Sequence, residues 1–269
     1  MTRVLGRVGL YTAALLLSLW VLVPIYFITL AAFSSSEDVY HYPKKLVPTN
    51  LSYANMDFFL HSNGVLDSLW RSVYVAAVTL VIALAIGTPA GYAIARFSFR
   101  GADTFRLAIV STRAFPIVIL SIPLAVLFLR WGIDDSILGV SLAHTALALP
   151  FAVLVTSSVF AGISVELEEA ALTLGCTRFS AVMRVVLPLA LPGLAAAAIF
   201  VFIISWNEVF AASILTLQHR TLPAQVLAVL NQSPLPFRFA GGFFMLAPSL
   251  IVIFVIRKYV FNMWGRVVR

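Results

Sequence analysis

The chain has 269 residues, of which 61% are hydrophobic and 11% are charged, against roughly 45–50% and about 25% in soluble globular domains. A soluble fold of this length cannot bury that much apolar surface, so the composition excludes a water-soluble protein and indicates an integral membrane protein. The 18 lysines and arginines that produce the net charge of +7 form no dense basic run, which argues against nucleic-acid binding, and the single cysteine excludes an internal disulfide.

Six apolar segments, bounded by charged residues, are long enough to cross a membrane, which takes about 20 residues of α-helix. The predicted spans cover residues 9–33, 70–95, 105–129, 137–162, 189–214 and 240–257. The first is interpreted as a retained span because its apolar stretch is longer than that of a signal peptide. The sequence therefore predicts an all-α membrane protein in which residues 1–269 form a single transmembrane domain of six helices.

The basic residues are distributed unequally between the two sides of these spans. With the N-terminus inside, the inner side holds the larger set, which is Arg3, Arg7, Arg96, Arg100, Arg106, Arg178, Arg184, Arg257, Lys258, Arg266 and Arg269. The outer side holds the smaller set, which is Lys44, Lys45, Arg71, Arg130, Arg220 and Arg238. Because basic residues concentrate in cytoplasmic loops, both termini are predicted to be cytoplasmic.

The connection between the fourth and fifth spans, residues 163–188, is longer than a simple helix–helix turn requires, and we call it the elbow. Its pattern predicts two short helices around Gly175 as a left-handed stop, the first capped by Ser164 and the second capped by Thr177 and bounded by Pro188 and Pro192. Each helix carries an apolar stripe, formed by Leu167, Ala170, Ala171 and Leu174 in the first and by Phe179, Val182, Met183 and Val186 in the second. Such a short pair cannot bury both stripes by itself, so the elbow lies on the membrane surface or docks on a partner, and the pattern alone favours neither.

The elbow resembles the EAA loop of the inner-membrane permeases in binding-protein-dependent ABC importers. The residues that carry this resemblance are Glu169, Ala170, Ala171, Gly175, Val185, Leu187 and Pro188. Nearly the whole chain resembles the maltose-type carbohydrate permeases, through the six spans, the WNE segment at 206–208 and the AGYAIAR segment at 90–96. The chain departs from the loop pattern at Leu174 and Cys176, where an acidic residue and an alanine are common in the family.

The resemblance implies a transport subunit that is not itself an enzyme. ATP and magnesium would be bound by a separate ATPase subunit and no cofactor by this chain, which contains no GxxxxGK[ST] phosphate-binding loop. The implied partners are a second homologous permease, two ATP-binding subunits, an extracytoplasmic solute-binding protein and membrane lipid. The implied location of the chain is a bacterial-type inner membrane. The implied solute is a sugar, an oligosaccharide or a polyol. The residues expected to contact the ATPase subunit are Glu169, Ala170, Ala171, Leu174, Gly175, Phe179 and Met183.

Arg113 and Glu208 are ionisable residues inside predicted spans, where a charge is costly and commonly faces a cavity or another charge. With Trp206 and Asn207 they are candidates for a substrate pathway, because aromatic, amide and carboxylate groups together suit a sugar. A structural ion pair between spans three and five explains the two charges equally well, as does snorkelling of Arg113 towards the cytoplasm. His144 is expected to be a hydrogen-bonded packing residue.

Four prolines within predicted spans, Pro89, Pro116, Pro123 and Pro150, indicate kinks or breaks at membrane depth. The alternative function is an ion-coupled secondary transporter that works through Arg113 and Glu208, which predicts inverted repeats where the sequence has no evident repeat. A membrane enzyme is disfavoured because the chain has no HExxH or GxSxG motif, and no metal site is predicted.

Overall fold

The computed structural model describes residues 2–47 and 50–267, and it describes side chains for residues 6–47 and 50–255. Apart from one antiparallel bridge between Ser34 and Leu51, these residues form helices, turns and loops. The predicted all-α class is therefore confirmed. Of the basic residues used to predict the orientation, five lie outside the described side chains: Arg3, Arg257, Lys258, Arg266 and Arg269.

The described helices, in chain order, are α1 (Thr2–Ala32), α2 (Ser36–Tyr40), α3 (Ala54–Leu60), α4 (Val65–Arg96), α5 (Ala102–Ser111), α6 (Ile117–Trp131), α7 (Ile137–Ala161), α8 (Val165–Thr173), α9 (Arg178–Ala181), α10 (Leu187–Trp206), α11 (Phe210–Leu215), α12 (Leu222–Val229) and α13 (Leu235–Val267). Short 3₁₀ turns occupy Thr112–Ala114 and Leu230–Gln232, and a π-turn occupies Val182–Val186.

Five helices in the described part of the chain are individually long and apolar enough to cross a membrane. The third predicted span, 105–129, is not one straight helix, because α5 and α6 meet at a break with a bend of 87°. Pro116 lies at this break and Phe115 before it is extended (φ −84°, ψ 119°). A proline lacks the backbone N–H that a helix needs and disfavours the helical conformation of the preceding residue, which explains the break.

The other three prolines do not break their helices. Pro89, Pro123 and Pro150 lie inside α4, α6 and α7, each of which continues past its proline. Of the four predicted kinks or breaks, only Pro116 therefore interrupts a described helix.

The chain divides into two compact units. The first contains Met1–Leu66 and Val229–Ala247, and the second contains Asp67–Ala228 and Pro248–Arg269. An aromatic cluster packs the first unit around Phe59, whose ring stacks on that of Phe244 at 5.2 Å between centroids and lies 4.9 Å from that of Phe237. Phe59 is fully buried, so this cluster is the core of the first unit.

In the second unit, helix α7 contacts both α4 and α10 through small residues. A Cβ added at Gly87 of α4 would lie 2.8 Å from the Ala152 Cβ of α7. A Cβ added at Gly91 of α4 would lie 2.7 Å from the Ser157 backbone nitrogen of α7. The Thr156 hydroxyl also donates a hydrogen bond of 2.9 Å to the Gly87 carbonyl. Small residues let helix backbones approach closely where lipid supplies no hydrophobic driving force, so α4 and α7 pack as a rigid pair.

We expect Gly91→Ala to lower the thermal stability of the purified protein in detergent. The new methyl group meets backbone atoms of α7, which cannot move as a flexible side chain would, and overpacking of this kind costs about 1–3 kcal/mol. Gly9→Ala is the matched control, because a Cβ at Gly9 meets nothing within 4 Å. Equal melting temperatures for the two variants would contradict the close packing of α4 on α7.

Candidate functional site

The first helix of the elbow, α8, ends at Gly175 as the sequence predicts. Gly175 has φ +89°, its N–H donates to the Leu172 carbonyl at 3.0 Å, and the Cys176 N–H donates to the Ala171 carbonyl at 3.0 Å. These two bonds form a Schellman motif, in which the residue after the helix takes the left-handed conformation that glycine adopts most easily. The predicted left-handed stop is confirmed.

The two predicted helix caps differ in outcome. The Thr177 hydroxyl accepts a hydrogen bond of 3.2 Å from the Ser180 N–H at the start of α9, which confirms that cap. Ser164 occupies the cap position of α8 but its side chain makes no capping hydrogen bond, so its predicted cap is wrong. The first turn of α8 instead carries the acidic residues Glu166 and Glu168, whose charges favour the positive end of a helix.

Most of the residues predicted to contact an ATPase subunit lie at the surface. The exposed members of this set are Glu169, Ala170, Leu174, Gly175, Phe179 and Met183. Leu174 and Phe179 are 86% and 73% exposed, so neither side chain is covered by the rest of the chain. Ala171 alone is buried and packs inward. The elbow thus presents an apolar surface of Leu174, Phe179 and Met183 beside an acidic side chain.

The second half of the elbow continues directly into the fifth span. The helix runs from Arg178 to Trp206 through the π-turn Val182–Val186, where the Leu187 N–H donates to the Val182 carbonyl. Pro188 has no N–H to offer the Arg184 carbonyl, and the wider turn accommodates this loss without ending the helix. Pro192 lies inside α10, so the predicted boundary at Pro188 and Pro192 and the predicted start of the fifth span at 189 are wrong.

A buried polar cluster holds the first elbow helix against the C-terminal end of α4. The Arg96 Nε donates to Glu168 Oε2 at 3.2 Å, and the Tyr92 hydroxyl donates to Glu168 Oε1. Arg96 also donates through a terminal nitrogen to the Ile163 carbonyl at 3.0 Å. The side chains of Arg96 and Glu168 are only 6% and 11% exposed.

Glu168 was not among the functional residues predicted from the sequence, because it precedes the Glu169-Ala170-Ala171 motif and belongs to none of the segments that carry the resemblance. A signal was nevertheless present in the AGYAIAR segment. Tyr92 and Arg96 are four residues apart, so on a helix they project from one face towards a common partner.

The predicted fifth span, 189–214, is interrupted after Trp206. Helix α10 ends there, and α11 begins only at Phe210. Glu208 lies in the gap, and its two carboxylate oxygens accept hydrogen bonds of 2.9 Å from the N–H groups of Ala211 and Ala212. The carboxylate satisfies the unpaired donors at the start of α11, so Glu208 lies at a helix boundary and not within one.

His144 of α7 is the residue that approaches the Glu208 carboxylate. Its Nε2 lies 3.3 Å from Glu208 Oε2, close enough for an ion pair although not aligned as a hydrogen bond. The His144 Nδ1 lies 2.9 Å from the Ser205 hydroxyl, and the His144 side chain is 1% exposed. The packing role predicted for His144 is thus confirmed, and the Glu208 carboxylate pairs with this residue of span four, not with Arg113.

The other pathway candidates lie in different environments. The Arg113 guanidinium lies 3.5 Å from the centroid of the Phe151 ring, which is a cation–π contact. Trp206 is buried and stacks on Phe202 at 5.6 Å between ring centroids. Asn207 is exposed and its side chain donates to the Ile203 carbonyl at 3.0 Å.

Asp135, in the turn between α6 and α7, organises a loop far away in the sequence. Its carboxylate accepts backbone hydrogen bonds of 2.9–3.2 Å from Leu217, Gln218 and His219, and it lies 3.1 Å from His219 Nδ1. Burial raises the pKa of Asp135, but the backbone hydrogen bonds to its charged form outweigh burial, so the pKa lies below its ordinary value. The sequence offered no signal for this contact, which joins residues more than 80 positions apart.

We expect the loop at 217–219 to loosen in acid. A carboxyl group whose pKa is lowered on folding stabilises the fold above its unfolded pKa of about 3.9, and this contribution is lost as the pH falls through the folded value. Asp135→Asn should therefore speed amide hydrogen exchange at 217–219 relative to the unsubstituted chain at pH 7, and the difference should shrink below about pH 4. Asp134→Asn, at the exposed neighbouring carboxylate, is the matched control. This role would be contradicted if Asp135→Asn changed the exchange rates at 217–219 by the same factor at pH 7 and below pH 4.

Comparison with known proteins identifies relatives over most of the chain. Residues 87–263 match the family of binding-protein-dependent transport system inner membrane components. A putative ABC transporter permease of Streptomyces antibioticus is 32% identical over 79% of this chain and 94% of its own length. The trehalose transport system permease of Mycobacterium tuberculosis is 31% identical over 80% of each chain. A crystal structure of a bacterial ABC transporter that imports alginate shares the fold, with a TM-score of 0.69, 24% identity and coverage of 93% of this chain and 95% of that one.

Proposed function

Because the chain belongs to the family of binding-protein-dependent transport system inner membrane components, we propose that it is the permease subunit through which an ATP-driven importer takes up a sugar, an oligosaccharide or a polyol. The solute class is supported by the trehalose permease, which is similar to this chain over 80% of its length. The observation that carries the mechanism is the elbow, because Phe179 and Met183 of its exposed surface lie on a helix that continues into the fifth span.

The surface of the elbow suits a separate ATPase subunit better than lipid. Glu169 is exposed, as are the apolar side chains Leu174 and Phe179 of the same elbow, so its carboxylate is accessible to a basic residue of a partner. Ala170 and Gly175 are small, so a partner backbone can approach closely there. A mixed apolar and charged surface of this kind is typical of protein interfaces.

Movement of the elbow would be transmitted mechanically. Because Arg178–Trp206 is one helix, a displacement at Phe179 tilts α10 without an intervening flexible loop. In the proposed assembly ATP and magnesium bind to two partner subunits, a second homologous permease completes the pathway, and a solute-binding protein delivers the solute from outside. This chain then has no hydrolytic role, lies in a bacterial-type inner membrane, and keeps both termini in the cytoplasm.

For the solute pathway we assign different roles to the four candidate residues. Asn207 is exposed where α10 ends and is therefore available to a solute hydroxyl group. Glu208 contacts α11 and His144, and Trp206 stacks on Phe202. We therefore assign both residues to the wall of the pathway next to Asn207 and not to direct contact with the solute. Arg113 contributes its charge above Phe151 at the break between α5 and α6.

The test is reconstitution. Proteoliposomes that contain this chain with its partner permease, ATPase subunits and binding protein should accumulate at least one member of a panel of disaccharides, oligosaccharides and polyols when ATP is supplied. Omission of the ATPase subunits is the control and should abolish accumulation. Uptake by this chain alone, driven by a proton or sodium gradient, would instead support the ion-coupled alternative.

A further inference from the structure

We propose that Glu168, Tyr92 and Arg96 form a latch that fastens the elbow to α4, so that an ATPase subunit that moves the elbow also moves the second span. The proposal rests on the proposed function, because it requires an ATPase subunit at the elbow. Glu168 is then a positioning residue: it acts through α4 and touches neither solute nor nucleotide.

The geometry of the latch is that of a rigid joint. Both oxygens of the Glu168 carboxylate are engaged, Oε1 by the Tyr92 hydroxyl and Oε2 by the Arg96 Nε at 3.2 Å. Arg96 makes a second bond, of 3.0 Å, to the Ile163 carbonyl just before α8. Because the Arg96 guanidinium is bonded at two points, it fixes the orientation of α8 relative to α4 as well as the distance between them. Separating Arg96 from Glu168 would leave two buried charges unpaired, which is energetically costly.

The ring of Tyr92 is held in place from two sides. It meets the rings of Phe160 and Phe97 edge-on, with centroid distances of 5.5 Å and 6.3 Å. Tyr92 follows directly after Gly91, where α4 packs closely against the backbone of α7. The hydroxyl that reaches Glu168 is thus anchored to the most tightly packed part of α4.

The elbow consequently has one connection to the spans besides its two covalent ones. The chain joins it to α7 before Val165 and to α10 through the π-turn Val182–Val186, and the polar connection runs from α8 through Glu168 to α4. The inward position of Glu168 contrasts with its neighbours Glu166 and Glu169, which are exposed on the same helix. The exposed side of α8 is therefore available to the ATPase subunit, and the buried side of α8 contacts α4 and transmits the force to it.

The decisive experiment uses Glu168→Gln in the complete reconstituted complex. The substitution keeps the shape of the side chain but removes the charge that Arg96 faces. We expect the ATPase subunits to co-purify and hydrolyse ATP as in the unsubstituted complex, while solute transported per ATP falls about fivefold or more, the size of a lost coupling between sites. Glu166→Gln changes an exposed carboxylate two residues earlier on α8, so it is the matched control and should leave this ratio unchanged.

Two further variants keep the test decisive if Glu168→Gln does not accumulate in the membrane. Tyr92→Phe retains both aromatic contacts and the charge pair and removes one hydroxyl, so it should lower transport per ATP by a smaller factor, about twofold. Arg96→Lys retains the charge but cannot bond at both points, and it should fall between the other two.

The proposal is overturned if Glu168→Gln leaves the transport per ATP unchanged. If Glu168→Gln does not accumulate in the membrane, the proposal is overturned when Tyr92→Phe leaves the transport per ATP unchanged. It is also overturned if Glu168→Gln releases the ATPase subunits, because Glu168 would then belong to the docking surface. Failure of the proposed function is distinguishable from both outcomes, since the unsubstituted complex would then show no ATP-dependent uptake.

Discussion

Gly175→Val should reduce ATP-driven solute uptake by about tenfold or more while leaving the transmembrane helices folded. Gly175 has φ +89°, a conformation that costs roughly 1–2 kcal/mol for a residue with a Cβ and more for a β-branched one. The backbone relieves this strain by moving towards a right-handed conformation, which breaks the bond from Cys176 N–H to the Ala171 carbonyl. Helices α8 and α9 then change their relative direction, and the docking surface is lost.

The controls separate backbone strain from side-chain bulk. Nothing lies within 4 Å of a Cβ built at Gly175, so a side chain there meets no neighbour within the chain. Gly175→Asn tolerates the left-handed conformation and should retain most of the uptake. Gly175→Trp adds bulk to the exposed side and should prevent co-purification of the ATPase subunits. Normal uptake and coupling in Gly175→Trp would show that the elbow is not the docking site.

Glu208→Ala should be the most destabilising single substitution considered, with a loss of about 3–5 kcal/mol. It removes the carboxylate that accepts from the N–H groups of Ala211 and Ala212, so both donors at the start of α11 lose their partner. It also removes the carboxylate that faces the buried His144. The measurement is thermal or denaturant unfolding of the purified protein in detergent.

The companion variants distinguish a structural role from a role in the solute pathway. Glu208→Gln keeps one carbonyl oxygen for α11 and should lose less stability than Glu208→Ala. Asn207→Ala removes only an exposed hydrogen bond to the Ile203 carbonyl, so it should leave stability within about 0.5 kcal/mol and instead lower the affinity for solute. Unaltered stability of Glu208→Ala would contradict the assignment of Glu208 to the wall of the pathway.

The features that could be predicted from the sequence are local ones. Gly175 and Thr177 were assigned correctly because a left-handed helix end and a hydroxyl cap depend on residues within one turn. Pro188 was misassigned as a helix boundary for a related reason. A proline removes one hydrogen bond, but whether the helix ends or widens into a π-turn depends on packing around it, which no local pattern records.

The polar partners inside the second unit could not be predicted in the same way. The pattern left Arg113 and Glu208 as possible partners because both are charged residues in apolar surroundings. In the structure the Glu208 carboxylate faces His144 and the Arg113 guanidinium faces Phe151. Which groups meet depends on the rotation of each helix about its axis, and that rotation follows from contacts such as those of Gly87 and Gly91 with α7.

The amino-acid sequence by itself determined that this protein lies in the membrane, that its spans are helical and that a short helix stopped by Gly175 follows the fourth span, because composition, apolar length and glycine conformation act over short stretches of chain. Only the tertiary structure decided that Glu168 turns inward to Tyr92 and Arg96, residues 76 and 72 positions away. Burying that carboxylate is favourable only when an opposite charge and a donor are brought to it, and packing of the helices is what brings them.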